Sequence, residues 1–299
     1  MQNPKPLVIV LLGPTASGKT DLAIQIAKKI KVSIHNIDSR QLYKGMNIGT
    51  AKPTIEQQEE IKHYLLDLKD PNNPITLHEF KKEAELSLKN IFSKEKCGFL
   101  VGGSGLYLKS LTSGLCPPSV PAQEKLRKEF RRLGQKECHQ ILKKCDPIAW
   151  EKISPRDSIR TIRALEVFYS TGQTISSLKT LKPPDWNLLE LGLDPRNLQQ
   201  RIAKRTKILF QKGLIDETKA LIHQYGEDLP LLQTIGYKEA CTVIKGEYSI
   251  TEAIEITTQR TNQFAKKQRT WFRRQHNPKW LNEKNSLEEA LSLIQNVIG

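Results

Sequence analysis

The sequence predicts an α/β fold, a parallel sheet core flanked by helices and interrupted by a mainly helical insertion. Three observations predict it. Short apolar runs of strand length alternate with helical stretches before Cys116, which calls for parallel strands joined by helical crossovers. The texture changes at "CPPSVP" (Cys116 to Pro121), and from Ala122 to about Leu181 it is helical and basic, with no convincing strand, until "KPPDW" closes it. A return strand, "LLELGLD" (Leu188 to Asp194), then leads into a helical last third. These breaks divide the chain into a first core part at 1–116, an insertion at 117–185 and a second core part at 186–299 that ends in basic helices.

Leu7 to Leu12 reads as a buried strand, and "GPTASGKT" (Gly13 to Thr20) after it fits G-x-x-x-x-G-K-T. Gly13 and Gly18 let backbone N–H groups turn inward around phosphate oxygens, and Pro14, Thr15, Ala16 and Ser17 complete the cradle. Lys19 reaches the outer phosphate, and the Thr20 hydroxyl can ligate Mg²⁺. The helix "TDLAIQIAKKI" follows, with Leu22, Ile26 and Ile30 at i+4 and Lys28, Lys29 and Lys31 near the end that favours cations. Strand, loop and helix in this order mark a P-loop NTPase-like core. The loop alone does not say what carries the phosphates.

A second strand at Val32 to Ile37 ends on Asp38 and is expected beside the loop strand; "HYLLDL" (His63 to Leu68) is a third. "CGFLVGGSG" runs as a strand to Val101, breaks at Gly102 and Gly103, and opens the helix "LYLKSLTSGL". Ligands of open parallel sheets lie at the strands' C-terminal ends. The phosphate loop, Asp38 and Gly102 to Ser104 should therefore converge on one site. Asp38 has three competing roles there, as an outer-sphere magnesium partner, a substrate clamp or a general base, against the plain alternative of a turn cap. Arg201 and Arg205, at i and i+4 on the helix Asn197 to Lys212, could close over a diphosphate or be ordinary surface arginines.

The chain of 299 residues is 38% hydrophobic and 26% charged, the composition of a soluble globular protein. No stretch approaches the ~20 apolar residues of a membrane span. "MQNPKPLVIVLLG" resembles a leader only superficially, because its apolar run enters the phosphate loop. Five scattered cysteines without C-x-x-C read as reduced thiols, and Cys138, His139 and Cys145 lack the partners for a zinc site. A cytoplasmic protein is expected.

Forty-seven Lys and Arg against 32 Asp and Glu leave a formal charge of +15, which favours a polyanionic partner or belongs to a basic enzyme with a solvated surface. Placement favours the partner. In "SPRDSIRTIRALEVFYSTG", Arg156, Arg160 and Arg163 share one helical face, and Ile159, Ile162, Leu165 and Tyr169 form the opposite face, expected to be buried. Lys125, Arg127, Lys128, Arg131 and Arg132 add a second basic cluster. The helix beginning at the capping box Ser249–Glu252 carries Arg260, Lys267 and Arg274 in one column and Lys266 and Arg273 in another. No acid lies between Gln259 and Trp280, so this stripe reads as polyanion-binding.

At this point the chain resembles a known family. "GPTASGKT", "DSRQLYKGMNIGTAKP" (Asp38 to Pro53), "LVGGSGLYLK", "RTIRALEVFYSTG", "QRIAKRTKILFQKGLIDE" and "TIGYKEA" match the bacterial tRNA dimethylallyltransferases in order, over nearly the whole chain. The resemblance implies transfer of the dimethylallyl group of dimethylallyl diphosphate to the exocyclic amine of the adenosine 3′ of the anticodon in tRNA. It implies that the loop, Gly13 to Thr20, and Arg205 hold diphosphate rather than ATP, with Mg²⁺ on Thr20. Asp-Asp occurs nowhere in the chain, so the Asp-rich magnesium motif of terpene-type prenyltransferases is absent. By resemblance Asp38 is the general base, with Lys19 and Arg205 neutralising the leaving group. The family's tRNA contacts map onto Asp38, Ser39, Arg40, Gln41, Ser104, Arg160, Arg163, Gly236, Tyr237 and Lys238. No specific contact carries onto Arg127, and the role of Arg201 is less defined than that of Arg205. A monomer is expected. The competing reading is a P-loop kinase using ATP and a small hydroxylated substrate, with Asp38 as its clamp; a non-catalytic RNA-binding module is a third.

Overall fold

The strand Leu7–Leu12 (β1) is apolar at every position and buried along its length. Its side chains alternate between two cores: Val8, Val10 and Leu12 enter one, Leu7, Ile9 and Leu11 the other. A strand with two apolar faces needs covering on both sides, which places it centrally in a parallel sheet. The computed structural model describes residues 5–298. The first four residues, part of the stretch weighed as a leader, lie outside the described residues.

The remaining strands are Ile34–Ile37 (β2), His63–Tyr64 (β3), Cys97–Gly102 (β4), Leu115–Cys116 (β5), Thr180–Leu181 (β6), Asn187–Gly192 (β7) and Lys279–Trp280 (β8). Six form one sheet, ordered β3-β2-β4-β1-β7-β8 and parallel throughout. The expectation that the Asp38 strand lies beside the loop strand is corrected: β4 separates β2 from β1. The reason is packing. β4 is buried at all six positions, and a Cβ on Gly102 would lie 2.0 Å from the Ile37 carbonyl oxygen, so glycine lets β4 fit tightly against β2. The third strand is shorter than the stretch His63 to Leu68, because Leu65 (φ 64°) and Asp67 (φ 51°) take left-handed backbone that no strand continues. β8 had no counterpart in the sequence reading; two residues carry no readable alternation.

The chain divides into two compact units, one of Met1–Leu111 with Asp185–Gly299, the other Thr112–Pro184. The second unit contains the helices Glu124–Leu133, Gln135–Cys145, Pro147–Lys152, Ser158–Thr171 and Ile175–Leu178. They pack around Phe130, Cys138, Leu142, Ala149, Ala164 and Leu165. The unit is not strand-free as expected: β5 and β6 pair antiparallel where the chain enters and leaves it. The face of Ser158–Thr171 also differs from the reading. Ile159 is 81% exposed and Tyr169 57%, whereas Thr161, Ala164, Leu165 and Glu166 are buried. Small residues face inward so that this helix can sit closely on Gln135–Cys145. Glu166 joins them because its charge is matched: Arg127 donates to it from Nε (2.7 Å) and Nη2 (3.0 Å), the Gln123 N–H at 2.7 Å, and Arg163 through Nη1. No helix of the described residues is long and apolar enough to cross a membrane.

Candidate phosphate and base site

The phosphate loop follows β1 and opens the helix Lys19–Ile30. Two glycines make its tight course possible. A Cβ on Gly13 would lie 2.4 Å from the Leu193 carbonyl oxygen, and Gly18 caps the helix at φ +93°, a conformation that side chains disfavour. Lys19 folds back onto the loop, its Nζ donating to the carbonyls of Gly13 (2.9 Å) and Pro14 (2.7 Å). Arg205, on the helix Leu198–Gln211, reaches across to donate from Nη1 to the Thr15 hydroxyl at 3.1 Å. Loss of hydration in this recess, followed by the neighbouring Arg205 charge, lowers the Lys19 pKa to about 7 against an opposing pull from Asp38. Desolvation lowers the pKa of Arg205 too, again opposed by Asp38. Two cations and one carboxylate are thus electrostatically coupled in one recess.

Gln268, on the long helix Ile250–Gln275, went unassigned in the sequence reading beyond its place in the helical repeat. Its Oε1 accepts the Thr15 N–H at 2.9 Å and its Nε2 donates to the Gly103 carbonyl at 2.8 Å, clamping the loop to the end of β4. An amide on the inward face of an otherwise basic helix was the available signal. Gly103 leaves room for it, since a Cβ there would sit 2.8 Å from the Gln268 nitrogen.

Asp38 follows β2, and its Oδ1 accepts the Arg40 N–H at 2.8 Å in an Asx turn. The Ser39 N–H donates to the Ser104 hydroxyl at 2.9 Å, which joins the ends of β2 and β4. Gln41 is buried, its Nε2 donating to the carbonyls of Thr50 (2.9 Å) and Ala51 (3.1 Å). Asp38, Ser39, Arg40, Gln41, Ser104, Gly236 and Tyr237 line a single cavity of about 1610 Å³ together with Thr15 to Thr20 and Arg205. So the strand ends converge as expected even though β2 and β1 are not neighbours.

Other candidates are placed differently. Arg201 lines the cavity but donates to Glu283 Oε1 (2.9 Å) and Asn197 Oδ1 (2.8 Å), so the two arginines do not act as an equivalent pair. Lys238 is exposed and outside the cavity lining. In the second unit, Arg160 is exposed and pairs with Asp157 at 3.4 Å. Arg163 turns inward, to Glu166 and to the Pro118 (3.3 Å) and Val120 (2.9 Å) carbonyls. The basic stripe of Ile250–Gln275 is partly spent on acids from elsewhere in the fold. Arg260 pairs with Glu239, and Arg269 (2.5 Å) and Arg273 (3.0 Å) pair with Asp194. Lys266, Lys267 and Arg274 stay exposed, with no ion-pair partner among the described residues.

Comparison with known proteins gives one answer. The family model described as IPP transferase matches residues 41–275. A tRNA dimethylallyltransferase of Prochlorococcus marinus (strain MIT 9211) is 60% identical over 298 residues, 100% of each chain. The crystal structure of tRNA delta(2)-isopentenylpyrophosphate transferase from Staphylococcus epidermidis is 36% identical, covers 98% of this chain and 99% of its own, and has a TM-score of 0.70. A eukaryotic dimethylallyltransferase captured acting on tRNA is 26% identical, with a TM-score of 0.81 over 97% of this chain and 79% of its own. The family model begins after the phosphate loop and Asp38, but the Prochlorococcus relative spans both.

Proposed function

This chain belongs to the tRNA dimethylallyltransferases of the IPP transferase family, and from that premise we propose that its phosphate cradle holds dimethylallyl diphosphate while Asp38 serves the incoming adenine. The allylic C–O bond breaks and its electron pair leaves with diphosphate. The exocyclic nitrogen of the adenosine 3′ of the anticodon forms the new C–N bond, and its surplus proton passes to the Asp38 carboxylate. The products are N6-dimethylallyladenosine in tRNA and diphosphate.

The observation that carries this reading is the convergence of Lys19, Arg205 and Asp38 on one cavity. Charge that develops on the departing oxygens meets Lys19, Arg205 and the loop amides, and each such donor is worth roughly 3–4 kcal/mol at the transition state. A diphosphate also relieves a cost present in the free enzyme, because it supplies the anion that two desolvated cations lack. Adenine's amine is a weak nucleophile, and a positioned base contributes about 10²–10⁴-fold. The second Asp38 oxygen, not engaged by the Arg40 N–H, is the one available to the substrate. The target base must leave its stack to enter the cavity, at a cost of a few kcal/mol. We take the exposed cations Arg160, Lys266, Lys267 and Arg274 as backbone contacts that offset this cost.

The residues also fit Mg²⁺. The ion takes few protein ligands and favours substrate phosphate oxygens and water, and the Thr20 hydroxyl lines the cavity next to Lys19. When bound there it would neutralise diphosphate charge. We further take the enzyme to act as a monomer in the cytoplasm, where its tRNA substrate lies.

Incubation with unmodified tRNA, labelled dimethylallyl diphosphate and Mg²⁺, followed by mass spectrometry of the tRNA, tests the reading. Label is expected on one adenosine of the anticodon loop. Asp38→Asn should lower turnover by about 10²–10⁴-fold with tRNA binding retained. ATP turnover that needs no RNA, with no label on tRNA, would favour the kinase instead.

A further inference from the structure

We propose that Glu217 is a positioning residue for the transfer reaction. It holds the cavity wall formed by residues 47–53 and, through Gln41, the turn that presents Asp38; the inference rests on the reading above. Glu217 lies on the helix Leu214–Tyr225, far along the chain from the loop at Asn47 to Gly49 that it contacts. Its Oε2 accepts the N–H groups of Asn47 (3.0 Å) and Ile48 (2.7 Å). Its Oε1 accepts the Gly49 N–H (3.0 Å) and the Tyr237 hydroxyl (2.6 Å). Three successive backbone N–H groups facing one anion form the kind of nest that elsewhere binds phosphate. Here a carboxylate of the protein fills it, so the nest serves to anchor the loop.

The geometry around it is tight. Gly49 lies against the Tyr237 ring, and a Cβ there would sit 2.4 Å from Cζ. Tyr237 itself is buried, and burial together with Glu217 pushes its phenol pKa upward. The far end of the same loop is tied by Lys52, whose Nζ donates to the Tyr43 carbonyl (2.9 Å), Asn47 Oδ1 (2.8 Å) and Asp67 Oδ1 (2.6 Å). The Gln41 amide bonds to Thr50 and Ala51 then connect this loop to the segment that starts at Asp38. Asn47 to Pro53, Tyr237 and Asp38 all line the cavity. The diphosphate side is held by different residues, Gln268 and Arg205 on Thr15. Loss of the Glu217 carboxylate should therefore displace the base side of the cavity and leave the donor side in place.

Three variants test this: Glu217→Ala, Glu217→Gln, which keeps one acceptor oxygen, and Gly49→Ala, which pushes the same contact from the loop side. The expected signature of Glu217→Ala is a fall in kcat on tRNA of about 10²-fold, the scale of a misplacement near 1 Å, with the Kd for inorganic diphosphate unchanged. Glu217→Gln should recover part of the loss, and Gly49→Ala should reproduce it. Wild-type kcat in a folded Glu217→Ala protein would overturn the proposal, as would a kcat loss matched by an equal loss of diphosphate affinity. If Glu217→Ala does not fold, wild-type kcat in both other variants overturns it. Failure of the wild-type enzyme to label tRNA would refute the transfer reading instead. Hydrogen exchange at the Asn47 to Gly49 amides would still decide whether Glu217 holds the loop, since Glu217→Gln should speed it.

Discussion

The phosphate cradle and the helical insertion each bring two long cationic side chains together, and they treat them in opposite ways. In the insertion, Arg127 and Arg163 converge on Glu166, whose carboxylate is fully buried. Burial alone would raise that carboxyl's pKa; hydrogen bonds from Arg127, the Gln123 N–H and Arg163 outweigh it and hold it below the usual carboxylate range. In the cradle, Lys19 and Arg205 make hydrogen bonds to carbonyls and hydroxyls, and the carboxylate they sense, Asp38, is held in its own turn. The first arrangement is complete and builds structure. The second leaves Lys19 and Arg205 without an ion-pair partner among the described residues, the deficit that the proposed diphosphate would fill. Counting arginines cannot separate the two; the partner atoms do.

Changing one member of each group sharpens the contrast. Arg205→Ala should lower turnover by about 10²–10³-fold, as loss of a transition-state donor does, and steady-state kinetics would show it with little change in thermal stability. Glu166→Gln should do the reverse. It leaves two guanidiniums facing an uncharged group and should cost about 3 kcal/mol, the low end for a broken buried pair because both arginines keep some contact with water. Calorimetry would register the lower Tm, and the Kd for inorganic diphosphate should not move. Equal effects of both variants on activity and Tm would erase the distinction.

The smallest expected effect is a pH dependence confined to the cradle. Between about pH 7 and the ordinary lysine value of 10.5, folded Lys19 binds fewer protons than the unfolded chain does. For this group stability therefore rises with pH across that window. A bound diphosphate draws the proton back, so its affinity should be greatest below about pH 7 and weaken by at most about tenfold per pH unit above it. Calorimetric titration with inorganic diphosphate at several pH values would check both the trend and the accompanying proton uptake. An affinity flat across neutral pH would mean that Lys19 stays charged in the free enzyme.

Much of the candidate site is local, and its residues were therefore legible as candidates. The run from Gly13 to Thr20 carries its own geometry, and Asp38 and Ser104 lie at strand ends that any parallel sheet gathers on one edge. The pairing of charges is not local. Acids within the helix Ile250–Gln275 can be counted in sequence, but Arg260 finds Glu239, and Arg269 and Arg273 find Asp194, from other elements. Gln268 and Glu217 stayed unread for the same reason, since each contacts loops more than 160 residues away in the chain.

The sequence by itself determined the Gly13 to Thr20 motif, the strand-and-helix alternation and the family, because motif spacing and hydrophobic period act over a few residues. The tertiary structure decided the strand order, with β4 between Asp38's strand and the loop strand. It also decided which cations are spent internally and which face the cavity. Those outcomes depend on close packing at single atoms, such as the absent Cβ of Gly102, and on carboxylates delivered from distant segments. Such contacts form only once the chain has closed on itself.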